Sequence, residues 1–190
     1  MNKSLLRTTL GVCSAAATVV GLGAGAAQAG TPPNSNLQCV ADSPATCEQV
    51  GSTGARLVTT DGGDSGVYLN AHRVNGKPLG EVDFGFDYDG TYGGGSPRFS
   101  IPVDENGDGG VEYYAFVDAN SCGGGAQGTA STELASCKVY YGHDPVYANW
   151  DAFAQAHPTW TVAKDDTAFA IADSPSDVTL GNVAFWVNKG

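Results

Sequence analysis

The sequence predicts a mainly β protein, an antiparallel β-sandwich or jelly roll with one short helix and two disulfides, and three observations carry that prediction. Short runs that alternate apolar with polar residues recur along the chain, separated by glycine-rich turns. One stretch alone has helical periodicity. Four cysteines remain once an N-terminal export signal is set aside, and an even count in an exported chain reads as two bridges.

The signal occupies residues 1–29: Lys3 and Arg7 lead, small and apolar residues follow, and Ala27-Gln28-Ala29 forms an A-x-A cleavage site. The expected destination is therefore the cell exterior, with no membrane attachment once the signal is gone. Residues 30–53 read as an extended segment rich in Pro, Ser and Asn that contains Cys39 and Cys47, and 54–190 as the sandwich itself. Three pairings of Cys39, Cys47, Cys122 and Cys137 are formally open; short loops bounded by turn residues favour Cys39 with Cys47 and Cys122 with Cys137. Zinc is the competing use of these thiols, but neither pair has ligand spacing.

Strands are expected at 55–60, 66–72, 81–88, 97–103, 111–117, 137–142, 159–163, 168–173 and 178–188. The clearest is EVDFGFDY, which sets Val82, Phe84, Phe86 and Tyr88 on one face. The helix is expected at about 147–156, where Val146, Trp150, Phe153 and Ala154 recur at helical spacing and Pro158 ends the run. At that spacing Trp150 reads as a core anchor.

Without the signal, seven basic residues face twenty acidic ones, a net charge of −13. Such a chain repels nucleic acid and anionic membrane surfaces, while neutral glycans, cationic partners and divalent cations remain compatible with it. Acidity also serves plain solubility.

Three motifs invite chemical readings. The GDSG at 63–66 matches the nucleophile segment of chymotrypsin-like proteases, but His72, His143 and His157 all follow Ser65 in the chain, the wrong order, and Val67 stands where a glycine belongs; a turn is the better reading. Asp83, Asp87, Asp89, Glu112 and Asp118 supply carboxylates on or near strands, as paired-carboxylate hydrolysis would need, with Glu112 the candidate acid. In VDENGDGGVEYY, Asp104, Asn106, Asp108 and Gly109 match the first half of a calcium loop and Glu112 its ninth position, while Ala115 replaces the bidentate glutamate. Asp104, Asn106, Asp108 and Glu112 are therefore candidate ligands of a weak structural Ca²⁺, and a metal-free hairpin turn is the alternative.

The succession GGGSPRFSIPVDENGDG, YYAFVDANSC, CKVYYG, NWDAFAQAHP and VTLGNVAFW resembles a group of small exported, uncharacterised bacterial proteins of jelly-roll type, over most of the chain from about residue 54. The order of parts is also similar to that of non-catalytic carbohydrate-binding sandwiches, in which a calcium ion fixes a loop. The resemblance implies a secreted, non-enzymatic module for a polysaccharide or cell-wall glycan. Its candidate stacking residues are Tyr88, Tyr92, Tyr114 and Tyr141, with Trp186 among the other aromatics available. A hydrolase using paired carboxylates and a protease-inhibitor-like sandwich, contacting its partner through the loop SCGGGAQGTASTELASC, are the alternatives.

Overall fold

The computed structural model describes residues 37–60, 62–70, 72–142 and 146–187; the signal peptide expected at 1–29 lies outside them. In chain order the elements are β1 (Gln38–Ala41), β2 (Thr46–Val50), β3 (Gly54–Thr59), β4 (Ser65–Tyr68), β5 (Val82–Tyr92), β6 (Arg98–Asp104), β7 (Tyr113–Asp118), β8 (Gln127–Ser131), β9 (Val139–Tyr141), β10 (Val146–Tyr147), α1 (Trp150–Ala156), β11 (Thr161–Val162), β12 (Phe169–Ala172) and β13 (Ser176–Val187). They form two antiparallel sheets. The larger has the order β1-β4-β12-β6-β7-β9-β10, with β11 beside β6; the smaller is β2-β3-β13-β5-β8.

Alternation explains how the sheets meet. Val82, Phe84 and Phe86 of β5 point inward with Leu57 of β3 and Val178, Leu180 and Phe185 of β13, and all are essentially inaccessible to solvent. From the larger sheet Phe99, Ile101 and Val103 of β6 and Ala115 and Val117 of β7 face them. Phe99 packs across the sandwich on Phe84 and Phe86, at ring separations of 5.7 and 5.3 Å, within the range of favourable tilted aromatic pairs.

Both expected disulfides are present, Cys39–Cys47 and Cys122–Cys137. The first ties β1 of the larger sheet to β2 of the smaller. The second closes the segment in which the chain leaves β7, crosses to pair β8 with β5 in the smaller sheet, and returns to β9. The glycine-rich loop expected there thus contains a strand.

The helix is shorter than its periodicity predicted. Asn149 caps it, its Oδ1 accepting from Ala152 N at 2.9 Å, and Tyr147 belongs instead to β10. Val146, expected on the apolar helix face, is 53% exposed and pairs with Tyr140. Trp150 is the anchor its spacing implied: it is buried, and its Nε1 donates to the carbonyls of Leu79 and Val82 at 2.9 and 3.0 Å.

Candidate functional site

The outer face of the smaller sheet carries a hollow of about 280 Å³ around Gly85, Asp87, Thr129, Ser131, Glu133 and Trp186. Three strands build it. In register, Trp186 of β13 opposes Asp83 of β5, and Gly85 and Asp87 oppose Ser131 and Thr129 of β8. Residues alternate across the sheet, so Phe84 and Phe86 enter the core while Gly85 and Asp87 face out. The indole lies so close over Gly85 that a Cβ there would come within 3.1 Å of the ring, and within 3.2 Å of Ser131. Glycine is what admits the ring.

A bulge between Gly181 and Ala184 interrupts the pairing of β13 with β5, as bulges do where a strand re-aims a side chain. It places Asn182 at φ 50°, a left-handed conformation that asparagine tolerates better than most residues. Its Nδ2 then donates to Asp87 Oδ2 at 2.7 Å, while Thr129 Oγ1 donates to Asp87 Oδ1 at 2.6 Å. On the opposite wall Trp186 Nε1 donates to Glu133 Oε1 at 2.8 Å. Glu133 is held by its neighbours: its N–H donates to Ser131 Oγ, and Thr132 Oγ1 is locked between Phe84 N and Asp83 Oδ1. The result is an aromatic face beside two carboxylates whose donors among the described residues are all uncharged.

The Asp104–Glu112 connection is a tightly laced turn. Asp104 is 1% exposed and accepts from Gly107 N and Gly109 N at 2.6 and 2.9 Å, one on each oxygen. Glu112 accepts from Glu105 N and from Asn106 Nδ2, both at 2.7 Å. Asn106 Oδ1 is taken up by Asp108 N, so this amide is engaged inside the turn. Gly107 and Gly109 supply the positive φ values of 83° and 97° that the turn needs. Asp104, Asp108 and Glu112 nevertheless form a cluster able to hold a metal, with one ligand oxygen from each lying within 4.8 Å of the others.

The four tyrosines chosen from the sequence act as clasps. Tyr88 and Tyr141 are 4% and 6% exposed and belong to the core, which corrects their expected role as stacking platforms. The alternation that grouped Tyr88 with Val82, Phe84 and Phe86 already pointed inward. Tyr88 and Tyr92 donate to the carbonyls of Gly124 and Gly125 at 3.1 and 2.8 Å, Tyr141 donates to Glu105 Oε1 at 2.5 Å, and Tyr114 donates to Asp166. Each hydroxyl fastens a loop to a strand. Burial, with help from the bond to Tyr88, pushes the Tyr92 phenol up to about 12.

The remaining predicted carboxylates are dispersed. Asp83, Asp87 and Asp89 share the outer face of β5, whereas Glu112 and Asp118 lie at opposite ends of β7 in the other sheet. Burial raises the Asp118 carboxyl above its ordinary range against the opposing pull of Ser121, Asn120 and Arg98. Ser65 of the GDSG motif is buried in β4 and donates to Thr46 O at 2.7 Å, a structural bond between sheets. Sequence reasoning named Trp186 and Asp87 separately and missed Thr129, Ser131, Glu133 and Asn182, because β8 and the bulge carry no alternating apolar signal.

A second hollow, also of about 280 Å³, lies on the outer face of the larger sheet among Val40, Asp42, Asp64, Tyr68, Phe169 and Ile171. Its floor is Gly66. No protein-family model matches the chain, and neither does any curated protein or solved structure.

Proposed function

We propose that the chain is an extracellular, non-catalytic glycan-binding module whose contact surface is the hollow over Gly85. The observation that supports this most directly is the placement of Trp186 over Gly85, beside the polar groups of Asp87, Thr129, Ser131 and Glu133. A sugar offers an apolar face of C–H groups and a rim of hydroxyls. An indole suits the first, and carboxylate and hydroxyl oxygens accept or donate to the second. Two disulfides fit the oxidising exterior this role requires.

Calcium at Asp104, Asp108 and Glu112 is the finer reading of the laced turn, with a structural role. Affinity should be weak, about 10⁻⁴ to 10⁻³ M, and the gain near the dissociation constant about half a kcal/mol. Millimolar calcium should therefore raise the melting temperature slightly in the parent and leave Asp108→Ala unmoved; equal behaviour of the two removes the ion from the account.

The glycan reading is tested by pull-down on insoluble polysaccharides and titration with soluble oligosaccharides. The parent should be retained and Trp186→Ala should lose at least about tenfold in affinity, as a central aromatic anchor does. Absence of binding to every glycan tried, or unchanged binding by the variant, overturns the proposal. Release of sugar product that vanishes in Glu133→Gln would make the hollow a hydrolase site instead.

A further inference from the structure

We infer that the hollow over Gly85 selects glycans bearing protonated amino groups, such as de-N-acetylated glucosamine polymers, over neutral and acidic ones. This rests on the glycan-binding reading and adds a charge preference to it. Two carboxylates, Asp87 and Glu133, line the hollow, and none of its lining residues carries a positive charge. Their hydrogen-bond partners, Thr129, Asn182 and the Trp186 N–H, are neutral donors that orient the oxygens, and among the described residues no cation pairs with either carboxylate. The cation closest along the neighbouring strand β3, Arg56, is spent on Asp177 at 2.8 Å.

Charge complementarity then decides the ligand class. A uronic acid brought into the hollow would place its carboxylate beside two others at the surface of a strongly acidic chain, a like-charge juxtaposition that is costly. A sugar ammonium would meet both carboxylates and, stacked on Trp186, add a cation–π contact. Neutral sugars gain the stacking and hydrogen bonds alone. Asp89, exposed on the same face of β5, acts in the same direction as Asp87 and Glu133.

The experiment is a calorimetric titration at about pH 6, where amines are protonated, with β-1,4-linked hexamers of glucosamine, glucose and N-acetylglucosamine. The glucosamine hexamer should bind about two- to fivefold more tightly than the other two, the scale of one exposed charge pair. Half-molar salt should shrink that margin. Glu133→Gln keeps the oxygen that receives the Trp186 N–H and should lower affinity for the glucosamine hexamer more than for the glucose hexamer, reducing the preference; Asp87→Asn is the second variant, checked for an unchanged melting temperature. Equal affinity for the three hexamers, or preference for the acetylated one, overturns this inference and leaves the glycan-binding reading standing. Binding of none of them sinks both. A glucosamine preference that persists undiminished in the Asp87→Asn, Glu133→Gln double variant also overturns the inference, because the attraction would then belong to the acidic surface as a whole.

Discussion

The two outer faces carry hollows of equal volume, each floored by a glycine and edged by two carboxylates, yet the glycines are there for different reasons. At Gly66 a Cβ would lie 2.7 Å from the backbone oxygen of Ala170, so the close approach of β4 to β12 excludes any side chain. At Gly85 the nearest atom is the far edge of the Trp186 ring. The first hollow is a by-product of strand packing, walled by Val40, Tyr68, Phe169 and Ile171. The second exists because a side chain needs the room. On the larger sheet the rings satisfy one another: Phe169 packs on Tyr68 and Tyr114 at 5.1 and 5.7 Å, Tyr114 stacks with Phe116, and Arg98 covers Phe116. Trp186 has a carboxylate for a neighbour instead. The difference lies in what each ring meets: other rings on the larger sheet, a carboxylate acceptor on the smaller.

Substituting the two glycines should separate the cases. Gly66→Ala forces backbone apart and is expected to cost about 2–3 kcal/mol of stability by denaturant melt, whatever ligand is present. Gly85→Ala should cost less than about 1 kcal/mol, since a ring edge gives way more easily than a strand, but should weaken glycan binding about three- to tenfold by displacing Trp186. If both variants lose stability equally, the distinction fails.

A subtler probe compares the loops that flank the hollows. Tyr92 fastens Gly125, next to β8, and its phenol is raised from 10.0 to about 12. A folded-state value above the unfolded one means the contribution is fully present below pH 10 and is lost as pH climbs through about 12. Absorbance titration at alkaline pH should show late-ionising phenols, since burial also raises those of Tyr114 and Tyr141, and the earliest of them should disappear in Tyr92→Phe. The acid limb opposes two groups on the larger sheet. Burial raises Asp173, yet Arg98 and Ser96 outweigh it and hold the carboxyl below 3.8, so its contribution is present above that value and fades as pH falls further. Asp118, raised by burial, works in the opposite sense: acidification through its folded value favours the folded state. Asp173→Asn should therefore flatten the acid loss, and Asp118→Asn should steepen it, in melting curves between about pH 5 and 2.

The core strands were legible because β5, β6 and β13 set large apolar residues at alternate positions that enter the core, and β12 is an unbroken apolar run. β1, β2 and β8 were not. Gln127–Ser131 contributes one core side chain, Ala130, and its polar neighbours look like loop. The strand expected at 159–163 shrinks to Thr161–Val162, the part that pairs with β6. The site was hidden for a deeper reason: Trp186, Gly85 and Ser131 meet only through inter-strand register, and register across such separations is not written in local periodicity. The carboxylate loop, wholly local, could be read directly.

β13, the last of the described strands, lies between β3 and β5 in the smaller sheet. A ribosome or a translocation pore delivers the chain from its N-terminus, so β3 and β5 emerge long before the strand that joins them. Until it arrives they have no shared neighbour, Phe84 and Phe86 lack Phe185 and Leu180, and the smaller sheet cannot close. Closure of the smaller sheet therefore waits on the arrival of β13. A chain stopped after Ala172 should be cleaved by protease throughout 54–92, whereas the full chain should resist there.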